Sequence, residues 1–179
     1  MPETESREEF LNRVEQKAME NAPQWKHCAQ ATLSALSEEF DIPGADYAIK
    51  AATFMAGGTA ELGNTCGALN GAMMALGLIA GRCKSDEPKF GGPELNESSG
   101  VEKRLEYSVK LFQRFMQENG TWICRDIIMT RFGKYFDLLN DHESFVEAGS
   151  SQLCPGVIGK AVRAAAETIM EMKDEGLVE

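Results

Sequence analysis

Five cysteines stand in this chain, and four of them sit in contexts that suit chemistry at sulfur. Cys28 lies in His27-Cys28-Ala29-Gln30-Ala31, and Cys66 follows Thr65 and opens Cys66-Gly67-Ala68-Leu69-Asn70-Gly71. Cys124 lies in Trp122-Ile123-Cys124-Arg125-Asp126, and Cys154 directly precedes Pro155-Gly156. Cys66, Cys124 and Cys154 fall where the residue pattern starts a helix. The partial positive charge at a helix N-terminus favours the thiolate form of such a cysteine. Thiolates attack disulfides and bind metals, so these residues point to redox or metal chemistry at sulfur.

The elements that must position these sulfurs read as helical nearly throughout. Residues 8–21 alternate charge with Phe10, Leu11, Val14 and Met19, an amphipathic surface helix. Pro23 suits the first position of a second helix running to about Phe40, with Cys28 on or near its inner side. A third helix covers about 45–55 and ends at Gly57-Gly58. Thr65-Cys66 then opens a long apolar helix to about Ala80, the expected centre of the fold. Gly67, Gly71 and Ala75 recur every four residues along it, a spacing that suits tight packing on a neighbouring helix or close approach to a cofactor. Residues 85–100 carry a loop signature in Gly91-Gly92-Pro93 and Ser98-Ser99-Gly100.

Beyond that loop, Leu105, Val109, Phe112 and Met116 mark a helix over about 102–118. Thr121 is placed as a cap that sets Cys124 in a first turn. Residues 131–140 have no clear reading, and Cys154-Pro155 begins the last helix, running to about Lys173. The methionines at 19, 55, 73, 74, 116, 170 and 172 follow helical faces and read as core filling.

Composition sets outer bounds. A chain of 179 residues with 43% hydrophobic content is long enough for one domain with a real core. Its 18 basic residues are scattered among 28 acidic ones, giving a net charge of −10. That balance argues against nucleic acid, whose phosphates need clustered Lys and Arg. The first residues show no basic or apolar leader pattern, and the stretch from Gly71 to Ala80 is too short to span a bilayer. The expectation is therefore a cytoplasmic protein with no membrane insertion. In that reducing compartment cysteines are more often metal-binding or catalytic than structural disulfides. No strand followed by Gly-Lys-Ser/Thr occurs, so no nucleotide site is expected.

The four cysteine contexts together resemble the redox-active C_GCAxxG_C_C family. The element Cys66-Gly67-Ala68-Leu69-Asn70-Gly71, the flanking Gly63-Asn64-Thr65 and the apolar run 72–78 carry the likeness, with Cys28-Ala29-Gln30-Ala31 upstream and Cys124-Arg125-Asp126 and Cys154 downstream. The resemblance spans roughly Cys28 to Glu171. The family is also similar to a domain of the split-Soret cytochromes, in which four cysteines are associated with an iron–sulfur cluster. Cys83 and the N-terminal helix lie outside the pattern. No Cys-x-x-Cys-His is present, so no covalently attached haem is implied.

The resemblance implies electron transfer through an iron–sulfur cluster of unknown nuclearity, held by Cys28, Cys66, Cys124 and Cys154. Gly67 would let the main chain approach it. Amides at the helix starts at Cys66, Cys124 and Cys154 could donate to sulfur. Three alternatives stand beside it. Thiol–disulfide exchange would use Cys66 as the redox thiolate, with His27 and Arg125 favouring thiolates nearby. Zinc held by four thiolates would make a non-enzymatic structural module. Buried cysteines could also be small hydrophobes alone. The expected fold is all-α, a compact multi-helix bundle around the apolar, glycine-containing helix. It forms one domain over 1–179, with an N-terminal helix in 1–22, two family cysteines in 23–83, a loop in 84–100 and two more in 101–179. The redox partner is unidentified, and the small-residue helix and the N-terminal helix could build a homodimer.

Overall fold

The computed structural model describes residues 5–81 and 101–179. Cys83 and the expected loop lie outside the described residues. Among the described residues eight α-helices follow in order: α1 (Arg7–Trp25), α2 (Cys28–Glu39), α3 (Ala45–Ala51), α4 (Gly67–Ala80), α5 (Val101–Asn119), α6 (Cys124–Phe132), α7 (His142–Glu147) and α8 (Ser150–Asp174). A 3-10 turn, Ala52–Met55, extends α3. The fold is all-α, and the described residues contain no strand, only one isolated antiparallel bridge between Thr65 and Ile123.

Local chemistry explains where α1 starts. The Ser6 hydroxyl accepts the Glu9 amide at 3.3 Å, and the Glu9 carboxylate accepts the Ser6 amide at 2.9 Å, a reciprocal cap. The end of α1 departs from expectation. The helix runs through Pro23 and stops two residues beyond it, where Lys26 turns left-handed at φ 58°. Pro23 has no N–H to give the Met19 carbonyl, and α1 ends two residues after it, so the lost bond is confined to the last turn. The second helix therefore opens at Cys28, so that cysteine occupies a helix start rather than an interior position.

α4 and α8 share the centre. α8 packs against α1, α2, α4, α5 and α7, and α4 lies between α2, α5 and α8. Gly71 explains how α2 and α4 approach: a Cβ there would meet the Ala29 carbonyl oxygen at 2.5 Å and the Thr32 Cβ at 3.0 Å. The small-residue spacing thus serves helix packing. On the other side of the bundle, a Cβ at Gly159 would meet the Met19 Cγ at 2.5 Å, so α8 admits α1 by the same device. Phe10, Leu11, Val14, Ala18 and Ala22 of α1 are buried inside the chain, which occupies the apolar face expected to serve a dimer. The helix expected over about 102–118 is present as α5. Its inner face is Tyr107, Leu111 and Phe115, whereas Leu105 and Val109 are 58% and 53% exposed.

A second, smaller core closes the far end. Ile128, Phe136, Leu138 and Phe145 are buried together, with Phe132 packed on them. The rings of Phe132, Phe136 and Phe145 meet edge to face at centroid distances of 5.6, 6.1 and 5.4 Å. Cys124 and Cys154 both pack against this cluster. Its aromatic residues come from the stretch around 131–145 that shows little periodicity in sequence.

Candidate redox centre

Each cysteine is delivered by a different helix. Cys28 is the first residue of α2, behind the bend at Lys26 and His27. The His27 ring pairs through Nδ1 with the Thr53 carbonyl at 3.0 Å, and the Gln30 amide donates to the Ile49 carbonyl at 3.0 Å and the Thr53 hydroxyl at 3.2 Å. These bonds tie the start of α2 to the 3-10 turn. Cys66 immediately precedes α4, is 5% exposed, and donates its amide to the Trp122 carbonyl at 2.8 Å. Cys124 is the first residue of α6, and its amide bonds the Asn64 carbonyl at 2.7 Å. Thr121 acts just upstream of α6, its hydroxyl accepting the Ile123 amide at 3.2 Å rather than capping the helix.

Cys154 is the exception to the helix-start expectation. α8 begins at Ser150, behind the left-handed Gly149 at φ 99°, so Cys154 lies one turn inside and Pro155 is carried within the helix. Pro155, the sixth residue of α8, has no N–H to give the Ser151 carbonyl, so α8 forgoes one bond there.

A strained loop joins the first two cysteines to the third. Gly57, Gly58, Thr59, Ala60 and Glu61 are consecutive left-handed residues, with φ of 58°, 76°, 64°, 53° and 61°. For the three that are not glycine this costs roughly 3–6 kcal/mol in total. The turn is held by bonds from the Ala60 amide to the Phe54 carbonyl at 2.8 Å, Gly63 to Gly57 at 2.9 Å and Asn64 to Gly58 at 2.8 Å. A Cβ on Gly58 would meet the Asn64 nitrogen at 2.5 Å and the Cys124 Cβ at 2.7 Å, so glycine is required there by conformation and by contact. Gly57-Gly58 therefore do more than stop a helix: they open the turn that packs on Cys124. A signal was available in the dense glycines at 57, 58 and 63 directly ahead of Cys66.

The four thiols share one electrostatic environment. The Cys154 thiol hydrogen-bonds Cys28, which together with the amides of Cys28 and Gly57 lowers the Cys28 pKa in spite of burial. Cys154 is held well above its ordinary value by that same bond, by burial, and by the charges of Cys28, Cys66 and Cys124. Burial pushes Cys66 up to about 12, helped by Cys28 and opposed by the amides of Ala68 and Leu69. Burial and the charges of Cys66 and Cys28 also raise Cys124. The helix-start effect expected at Cys66 is therefore present but outweighed, and Cys28 is the sulfur that ionises most readily.

Amide donors to sulfur are likewise redistributed. Cys28 and Cys66 receive them, whereas the first two amides of α6 are taken by the carbonyls of Asn64 and Gly63. Gly67 does not face an open space. A Cβ there would meet the Met55 carbonyl oxygen at 2.7 Å and the Cys28 Cβ at 3.2 Å, so its lack of a side chain brings two of the cysteine-bearing segments together.

The donor set suits iron and sulfide chemically: four thiols, two of them under amide donors. Among the described residues, however, no group of three or more His, Cys, Asp or Glu side chains is placed to hold a metal ion as the side chains stand. A lone tetrahedral zinc with bonds of about 2.3 Å needs sulfurs about 3.8 Å apart. A cluster core contains several atoms and holds its thiolates farther apart than that. The side chains as they stand form neither a single-ion site nor a cluster site among the described residues, so holding either group requires the thiols to rearrange.

A sequence profile for a family described as "Putative redox-active protein (C_GCAxxG_C_C)" matches residues 26–168, a span containing all four cysteines. The chain belongs to the C_GCAxxG_C_C family. The family name spells Gly-Cys-Ala-x-x-Gly, whereas here Thr65 precedes Cys66, Gly67 follows it, and the closing glycine is Gly71. The chain is also similar to an uncharacterized protein of Archaeoglobus fulgidus, 23% identical over 170 residues, covering 93% of this chain and 98% of that one. No solved structure matches the chain.

Proposed function

We infer that this member of a redox-active family carries electrons at its four-cysteine centre on an iron–sulfur cluster. The observation that carries the reading is the close packing of cysteine-bearing segments: a Cβ on Gly67, next to Cys66, would meet the Cys28 Cβ at 3.2 Å, and one on Gly58 would meet the Cys124 Cβ at 2.7 Å, while α2 packs on α8, which carries Cys154. Such a cluster supplies one-electron chemistry at a potential set by burial and by hydrogen bonds to sulfur. The chain's own contributions are specific. The amides of Gly57, Ala68 and Leu69 favour negative charge on Cys28 and Cys66. The apolar core of α4 and the Phe132/Phe136/Phe145 cluster limit water around the sulfurs. In the metal-free state Cys66, Cys124 and Cys154 keep their protons at neutral pH, chiefly through burial at Cys66 and Cys124 and through the bond to Cys28 and burial at Cys154, with the neighbouring sulfur charges adding to it. Loading therefore releases at least three protons and is favoured by raised pH.

Thiol–disulfide exchange with another protein fits less well. Cys66 is buried and the other three are half-buried, which leaves little access for a bulky disulfide. Iron and acid-labile sulfide measured after anaerobic purification test the proposal. Both elements are expected in the wild type and should be lost together on Cys66→Ser. A folded wild-type protein with neither element, or a Cys66→Ser variant that keeps both, contradicts it.

A further inference from the structure

α5 is apolar over more of its circumference than the bundle covers. Tyr107, Leu111 and Phe115 face inward and are buried. Charged side chains of α5 turn toward α8 and its C-terminal end: Lys103 pairs with Glu175, Lys110 with Glu171, Arg114 with Glu167 and Glu171, and Glu118 with Lys160. A separate stripe of Leu105, Val109, Phe112 and Met116 runs along the helix. Helical geometry sets these four roughly 100–160° round from Leu111. Leu105 and Val109 are more than half exposed, and Phe112 and Met116 are half-buried. Trp122 is 40% exposed, and its ring lies 5.3 Å from that of Phe112. Its carbonyl accepts the Cys66 amide, so it carries the stripe on toward the redox centre.

We propose that this stripe is a dimer face, and that its occupant is α5 of a second copy running antiparallel about a twofold axis. Two observations select that occupant. The first is spacing. The stripe residues are separated by four, three and four positions, a pattern that reads the same in both directions. A twofold pairing requires a surface that matches itself. Here it sets Leu105 of one copy against Met116 of the other, and Val109 against Phe112. The second is charge. A chain of net charge −10 repels its own copy, and the repulsion is least where the facing surfaces carry no charge. No stripe residue is charged, and Ser108 and Asn119 border one edge. Along the other edge, among the described side chains, Glu106 is the charged one. The antiparallel pairing sets it beside the uncharged Gln113 and Gln117 of the other copy. The dimer thus uses α5 rather than α1, whose apolar face is filled inside the chain.

The experiment measures the mass of the full chain, purified anaerobically, by sedimentation equilibrium, with far-UV circular dichroism as the check on folding. The wild type is expected to reach twice its 19.6 kDa. Leu105→Glu and Met116→Lys each set a charge against an apolar side chain of the other copy, so each should weaken dimerisation about tenfold or more. The double variant Leu105→Glu/Met116→Lys sets opposite charges against each other across the axis and should restore the dimer. Within one helix the two positions are about 16 Å apart, too far for that rescue to arise inside one chain. Val109→Ser, an uncharged change at an exposed position, should also weaken the dimer at unchanged helix content, and it keeps the test open where a charged variant unfolds. A monomeric wild type overturns the proposal. So does a dimer that Leu105→Glu, Met116→Lys and Val109→Ser all leave intact, because its interface lies elsewhere. A double variant no more dimeric than the folded single ones overturns the antiparallel register.

Discussion

Cys28 and Cys66 both mark helix starts, yet their surroundings drive them in opposite directions. Cys28 gains a hydrogen bond from Cys154 and an amide from across a loop. Cys66 gains two amides from its own helix but is buried and faces Cys28. Sequence shows only the first shell of this balance, because burial and the neighbouring sulfurs come from distant segments. The consequence can be measured without metal. The Cys66 thiol has its pKa raised from 9.0 to about 12, so the folded chain holds that proton more tightly than the unfolded one. Stability linked to it is full below about pH 9, falls as the pH rises beyond that, and is lost by about pH 12. Urea unfolding of the metal-free protein from pH 7 upward should show this decline, and Cys66→Ala should flatten it. An unchanged slope in the variant would contradict the burial argument.

At the scale of elements, what the residues announce locally was legible and what depends on distant partners was not. α4 could be read from its apolar run and its small-residue spacing, and α1 from its charge alternation. The break between α1 and α2 could not, because Pro23 ends up in the last turn of α1 rather than in a first turn, and the stop is a left-handed lysine. Residues 131–140 and the short α7 have no clear reading for another reason. Their order comes from Phe132, Phe136 and Phe145 packing across a turn rather than from periodicity.

Two glycines on α4 separate helix packing from helix propensity. Gly71 would place a Cβ 2.5 Å from the Ala29 carbonyl oxygen, whereas Gly77 has nothing within 4 Å. Gly71→Ala is expected to destabilise the protein by about 1–3 kcal/mol through overpacking. Gly77→Ala should stabilise it by about 0.5–1 kcal/mol through reduced chain entropy. Thermal melts of the two variants should therefore shift in opposite directions. A neutral or stabilised Gly71→Ala would mean that α2 and α4 are not in close contact.

For the whole molecule, the fold works as a frame that brings four separate sulfurs to one place. α1, α2, α4, α5 and α8 form the main core, and the smaller aromatic core holds α6, α7 and the start of α8. The centre lies where the two cores meet, since Cys28 and Cys66 belong to the first and Cys124 and Cys154 pack on the second. Among the described residues no helix is long and apolar enough to cross a membrane. The cysteine contexts could be read from the sequence and resembled the family that the profile match then showed. That all four meet, and that the strained turn at Gly57–Glu61 supplies an amide to one of them and room for another, could not be. Such placement depends on residues far apart in the chain. An anaerobic redox titration of the intact protein, followed by visible absorption, tests the central claim most directly. The account predicts an iron-dependent chromophore that bleaches and recovers in one-electron steps. A colourless protein titrating only as a two-electron dithiol couple, unchanged by removal of iron, would contradict it.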